Sequence, residues 1–169
     1  MHNPHCTHCG AAFTVPAYPR VCAGCGETTW QNPLPVAVVL APVRIAGGTG
    51  PGGTGVVVVR RGIEPGYGQL ALPGGFMETG ESWQEAAVRE LREETAIVAD
   101  PATVVLLDVH SSPNGQRLMV FAVVPPRDEA DLPPMVPDEE TLERLVLLKP
   151  QDLVWDTHTD AMARYFASA

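Results

Sequence analysis

"GGFMETGESWQEAAVRELREETAI", residues 74–97, decides how the rest of the chain is read. Ser82 followed by Glu85 three residues later is a capping-box pattern, so a helix is expected to start at Ser82. On a helical wheel Ala87, Val88, Leu91 and Thr95 share one side, the side expected to pack on a sheet. Glu90 and Glu94 lie beside that stripe, Glu93 lies farther round, and the small Ala86 sits between them. Like charges three and four apart on a helix repel by roughly a few tenths of a kcal/mol per pair. The plain explanation is a solvated face with i,i+4 pairs such as Glu85–Arg89 and Arg89–Glu93. The chemical one is a hard divalent cation, Mg²⁺ or Mn²⁺, held by oxygen ligands at the rim of a buried face.

Composition narrows the setting. The 169 residues favour one core-bearing domain with a small appendage, and 45% apolar against 18% charged suits a folded protein. The net charge is −9 and no Lys/Arg cluster occurs, which argues against holding long nucleic acids by their backbones. A small phosphorylated substrate stays open, because a metal ion reverses the local field. The longest apolar run, Leu34 to Val43, is broken by prolines and too short to span a bilayer. "MHNPHCTHCG" has neither a basic n-region nor an apolar h-region, so a cytoplasmic protein with no membrane partner is expected.

Four cysteines occur as "CTHC" and "CAGC": Cys6, Cys9, Cys22 and Cys25, each pair followed by a glycine, Gly10 or Gly26. Two C-x2-C knuckles separated by twelve residues predict a zinc ribbon over residues 1–30. Four thiolates leave no open position, so this zinc would support folding rather than catalysis. Two disulfides are the rival, and nothing suggests export. His2, His5 and His8 read as bystanders, and "TWQNPLP" as the linker into a main domain spanning 31–169.

In that domain strands are expected at Val36–Ala41, Gly55–Arg60, Thr103–Val109, Leu118–Val124 and within "LERLVLLK". The glycine-rich stretch Gly47 to Gly55 lacks a following G-K-[ST] and reads as a hairpin loop rather than a phosphate cradle. Asn-Gly in "SPNGQ" marks a turn, "RDEADLPPMVPDEE" an acidic proline-rich loop, and Asp156 to Ala167 a final helix. Strands alternating with two helices predict an α/β fold whose mixed sheet is covered on both faces.

The run Gly75, five residues, Glu81, seven residues, then Arg89-Glu90-Leu91-Arg92-Glu93-Glu94-Thr95-Ala96-Ile97 resembles the Nudix box, G-x5-E-x7-R-E-U-x-E-E-x-G-U with U apolar. Only Ala96, in place of the last Gly, departs from it. The resemblance implies an α/β/α sandwich that hydrolyses the pyrophosphate of a nucleoside diphosphate derivative. Glu90 and Glu94 would be the main Mg²⁺ ligands, with Glu93 assisting and the Gly74 carbonyl a further ligand. Arg89 would orient the glutamates, and Glu81 would brace the loop. The Gly74-Gly75 pair would let backbone approach phosphate. A general base would come from Glu140, then Glu139 or Glu143. Arg60 and Arg61, ending the strand before the box, are candidate phosphate contacts, with His110 and Arg117 behind them. Trp30, Trp83 and Trp155 read as packing residues, and Leu70 stands where relatives often carry Trp.

A four-cysteine ribbon before the box resembles a branch containing FAD/ADP-ribose pyrophosphatases and, less closely, NADH pyrophosphatases. The latter carry S-Q-P-W-P-F-P-x-S after the box, whereas this chain reads "HSSPNGQRLMVF" from His110. FAD, ADP-ribose or NAD(H) is therefore the substrate class implied. Alternatives are a non-catalytic nucleotide-binding sensor on the same fold, or an interaction protein working through the ribbon; a homodimer through the ribbon is open.

Overall fold

A computed structural model describes residues 3–168, so His2 lies outside the described residues. The chain divides into two compact units, Met1–Pro33 and Leu34–Ala169.

In the first unit, β1 (Arg20–Val21) pairs antiparallel with the two-residue β2 (Thr28–Thr29). Gly10 and Gly26 take φ values of 77° and 79°, the left-handed turn that the knuckles require of them. Their N–H groups donate to the Cys6 and Cys22 carbonyls at 2.9 and 2.8 Å. Arg20 is buried, with its guanidinium 4.0 Å from the centres of both the Phe13 and Tyr18 rings. Among the described residues of this unit, Cys6 and Cys22 are the only buried apolar side chains. Units with so small a core commonly rely on a disulfide or a metal. Trp30 departs from its expected packing role: it is 64% exposed.

In the second unit the expected strand Val36–Ala41 is longer and is shared. β3 (Leu34–Leu40) belongs to one sheet, and the chain then passes into a second sheet as β4 (Pro42–Arg44). β4 forms a hairpin with β5 (Thr54–Arg61) across the glycine-rich loop, and β5 also pairs with β6 (Leu70–Ala71). β7 (Gly74–Phe76) returns to β3, antiparallel. After helix α1 (Trp83–Thr95) come β8 (Val105–Ser111) and β9 (Arg117–Val123), a hairpin turning at Gly115. β9 lies parallel to β3 over its whole length. β8 starts two residues later than expected because Pro101–Thr103 forms a short 3-10 turn capped by Asp100. The acidic loop contains β10 (Arg127–Asp128), parallel to β4, and a 3-10 turn at Glu129–Asp131. β11 (Thr141–Leu147) pairs with β5, and α2 spans Asp156–Ala167 as expected.

Two sheets therefore replace the single one expected, β7-β3-β9-β8 and β10-β4-β5-β11 with β6 beside β5. The layering is as expected. Ala37 and Val39 of β3 pack with Ala86, Ala87 and Leu91 of α1, while Val38 and Leu40 pack with Ala161, Met162 and Phe166 of α2. A strand covered on both faces needs apolar residues at successive positions, hence the apolar stretch from Val36 to Ala41 between the two prolines. Among the described residues no helix is long and apolar enough to cross a membrane.

The helix cap forms as the spacing predicts: Ser82 accepts from Glu85 N–H, and the Glu85 carboxylate accepts from Ser82 N–H at 2.7 Å. Ala86, Ala87, Leu91 and Thr95 make the buried face. The other end stops at Ala96, left-handed with φ 61°, while Arg144 donates to the Thr95 carbonyl at 2.6 Å. An alanine held in that region costs on the order of 1 kcal/mol. Ala96→Gly is accordingly expected to stabilise the protein by about 1 kcal/mol and to raise Tm by a few degrees in thermal denaturation. An unchanged or lower Tm would show that the left-handed end carries no strain.

Candidate active site

The site is built where α1 crosses β7 and β3. β7 can approach so closely because residues 74 and 75 have no side chains. A Cβ at Gly74 would strike the Ala37 carbonyl and Val38, and one at Gly75 would sit 2.5–2.6 Å from the Glu90 carboxylate. The glycine pair thus admits Glu90 and β3.

Arg89 organises the acids. Its Nη2 and Nε donate to the two Glu81 oxygens at 2.8 and 3.1 Å, and its Nη1 to Glu90 Oε1 at 2.7 Å and Glu93 Oε2 at 3.3 Å. Nη2 also donates to the Phe76 carbonyl at 3.0 Å, tying helix to loop. The expected Glu85–Arg89 pair is absent, since Glu85 serves the helix cap. The Glu81 bonds to Arg89 hold the Glu81 carboxyl below its ordinary range.

The three glutamates of α1 are not equivalent. The Glu90 side chain is 14% exposed, that of Glu93 51%. Glu94 turns inward and accepts from Gly74 N–H at 3.1 Å. Burial, and then the Glu90 charge, push the Glu94 carboxyl up to about 8 against the pull of that N–H. Burial also raises Glu90, in spite of Arg89. Two desolvated carboxylates that resist ionising side by side form a donor set for a hard cation, which would offset both charges. Glu90 and Glu94 could hold such an ion, with Glu93 at the solvent edge.

The remaining candidates separate. Arg60 is engaged by Glu143 at 2.5 Å and by the Gly68 carbonyl at 2.8 Å. Arg61 has no carboxylate partner among the described residues, and its charge acts on Glu94. Glu139 and Glu140 are both exposed; Glu140 acts on Glu94, whereas Glu143 is taken by Arg60. His110 pairs with Asp108 at 3.2 Å and stacks edge-on against Phe121, and the Arg117 guanidinium lies 5.7 Å from the Phe76 ring. Trp83 packs against the α1 core as expected.

The four cysteine sulfurs lie within 4.8 Å of one another as free thiols, the closest approaches being Cys9–Cys22 at 3.6 Å and Cys6–Cys25 at 3.7 Å. Backbone N–H groups of Cys25 and Gly24 bring the Cys22 thiol down to about 7, favouring the thiolate that a soft metal ligand requires. His5 and His8 are exposed and outside the cluster.

Sequence reasoning missed His158, a buried residue whose Nδ1 accepts from Leu72 N–H at 3.2 Å. Its partner is 86 residues away, so no local spacing signals it.

Residues 35–168 match the family model described as the NUDIX domain. Over 59 residues the chain is 46% identical to an ADP-ribose pyrophosphatase of Methanocaldococcus jannaschii, a match covering 35% of this chain and 34% of that protein. The chain thus spans about a third of the length of that curated relative. Among solved structures, it superposes on a NUDIX hydrolase from Nitrosomonas europaea with a TM-score of 0.69 at 22% identity, covering 98% of this chain and 92% of that one. A MutT/nudix family protein from Enterococcus faecalis gives a TM-score of 0.67 at 17% identity, covering 83% and 63%. With the family model spanning nearly the whole second unit, this chain belongs to the NUDIX family.

Proposed function

We propose that the protein hydrolyses the pyrophosphate of a nucleoside diphosphate derivative of the FAD, ADP-ribose or NAD(H) class, with a divalent cation held by Glu90 and Glu94. The observation that carries this reading is the inward pair of desolvated carboxylates, Glu94 against Gly74 N–H and Glu90 against Arg89. The name of the Methanocaldococcus relative supports ADP-ribose as the first substrate to try.

When bound, Mg²⁺ or Mn²⁺ offsets phosphate charge and acidifies a coordinated water. The chain's own residues would do the rest. Glu90, Glu94 and the Gly74 carbonyl hold the ion, Glu93 assists from the solvent edge, and Arg89 keeps Glu90 in one orientation. Arg61, without a carboxylate partner among the described residues and acting on Glu94, is the better phosphate contact of the two adjacent arginines. Glu140 is the favoured base: it takes a proton from the attacking water, whose oxygen bonds to phosphorus. The bridging P–O bond breaks, and its electron pair leaves with the departing phosphate. The products are a nucleoside monophosphate and a phosphorylated second half. In the first unit, Cys6, Cys9, Cys22 and Cys25 would hold a structural Zn²⁺ in place of an apolar core.

Glu94→Gln is expected to lower kcat on ADP-ribose by about 10²–10³-fold. Product analysis with Mg²⁺ and FAD, ADP-ribose, NADH and NAD⁺ checks this. A wild type that binds one of them tightly and releases no monophosphate would make the protein a sensor.

The same substitution has a pH signature. Folding raises the Glu94 pKa from 4.5 to about 8, so the metal-free fold holds this proton more tightly than the unfolded chain does. Its contribution is complete below pH 4.5 and is lost as the pH rises through about 8. Stability of the metal-free protein should fall across that window by up to a few kcal/mol, and Mg²⁺ or Glu94→Gln should flatten the slope. Denaturant titrations at several pH values measure this; equal slopes in the two proteins would contradict it.

Elemental analysis should find one zinc per chain, and a strong chelator should unfold the first unit while the second keeps its transition. Paired disulfides in a mass spectrum would overturn the zinc assignment.

A further inference from the structure

α2 begins against local preference. Its N-cap is Trp155, which makes no side-chain cap bond, where Ser, Thr, Asp or Asn would serve the helix better. A residue that breaks a local rule in a well-formed helix usually answers a tertiary demand.

Among the described residues the Trp155 ring meets a guanidinium and an imidazole. The Arg61 guanidinium lies 4.7 Å from its ring centre, and the His158 ring lies 4.7 Å away, tilted by 58°. The Nε of Arg61 donates to the Pro65 carbonyl at 2.9 Å. His158 is 4% exposed, edge-on to Phe121 at 5.7 Å, and accepts from Leu72 N–H. An Nδ1 that accepts leaves the proton on Nε2, so the ring is neutral, and burial holds its pKa down at about 3.

Leu72 opens the run that ends at the site. Leu72 is bonded to His158 of α2, the Pro73 carbonyl to Val39 N–H of β3 at 2.8 Å, and Gly74 N–H to Glu94 of α1. Three consecutive residues are thus fixed by three different elements. Val154 N–H donates to the Leu70 carbonyl at 2.9 Å and fastens the start of α2 to β6 just upstream.

We propose that the first turn of α2 is a positioning element of the active site: His158 sets the Gly74 amide against Glu94, and Trp155 aims Arg61 at the substrate phosphates. This rests on the reading of Glu90 and Glu94 as cation ligands. Apart from their mutual ring contact the two side chains act on different partners, Leu72 for His158 and Arg61 for Trp155, so their losses separate. His158 governs the cation, through Gly74 and Glu94; Trp155 governs the substrate, through Arg61. General loosening of the fold would move both together.

The test uses the full chain, with Mn²⁺ binding followed by electron paramagnetic resonance and ADP-ribose hydrolysis measured at saturating Mn²⁺. His158→Leu is expected to weaken Mn²⁺ binding about fivefold, the effect of one lost hydrogen bond, with KM unmoved. His158→Asn, whose side-chain oxygen takes the place of Nδ1, should recover most of it, and His158→Gln, which replaces Nε2 instead, should not. Trp155→Leu should raise KM about fivefold with Mn²⁺ binding unmoved, and Trp155→Phe should recover it. If His158→Leu does not fold, His158→Gln carries that arm, and wild-type Mn²⁺ affinity in it overturns the proposal. Leucine variants that lose Tm but keep wild-type Mn²⁺ affinity and KM, or that shift both constants together, also overturn it. A wild type that binds no Mn²⁺ overturns the cation reading and this inference with it, whereas wild-type binding matched by the leucine variants overturns this inference alone.

Discussion

The arrangement of the site depends on a single guanidinium. Arg89 donates to Glu81, Glu90 and Glu93 and to the Phe76 carbonyl, so one cation joins the loop before α1 to the acidic face of α1. Its side chain is 20% exposed, and those of Glu81 and Glu90 are 15% and 14%. Partial burial makes these bonds worth more than surface pairs, and breaking one would leave a charge uncompensated. The bidentate contact with Glu81 also uses the planar fork of Arg, which Lys could not supply. The cluster is therefore geometrically committed before any ligand arrives.

Arg89 does not neutralise the cluster. Its one positive charge faces Glu81, Glu90 and Glu93, Arg92 reaches the exposed Glu93 at 3.6 Å, and Glu94 is turned away against Gly74. Glu94 is left with a backbone N–H and the more distant Arg61. That imbalance is what a divalent cation would correct, and it is why burial raises Glu94 and Glu90 while Glu81 stays low. The two units solve folding in different ways. The second buries aliphatic residues on both faces of β3, whereas the first buries two cysteines and a ring-stacked arginine and gathers four free thiols within 4.8 Å of one another, close enough to hold a metal ion.

Much of this was legible because it is local. The Ser82–Glu85 cap, the buried face of α1, the knuckle glycines, the Asn-Gly turn and the bounds of α2 all follow from interactions within a few residues. The expected strands were present, with ends shifted where a non-local pairing or a short 3-10 turn prevailed. The single sheet was wrong because a run of apolar residues does not say which partner each part of it will meet. β3 and β4 are continuous in sequence yet bond to different strands. Trp30 was misjudged for a similar reason: hydrophobicity describes a residue's preference, and burial depends on what lies opposite.

The sequence by itself determined that three glutamates would share a helix beside an apolar stripe, that a glycine pair would precede them, and that four cysteines would be spaced for one metal. Each is a matter of period and spacing along a short stretch. Only the tertiary structure decided that Glu94 turns in to Gly74 while Glu93 stays at the edge, that Arg61 meets no carboxylate among the described residues while Arg60 is engaged by Glu143, and that His158 reaches Leu72. Those outcomes are set by contacts between residues tens of positions apart. Such contacts exist only once the sheets and helices have packed, so no window of the chain contains them.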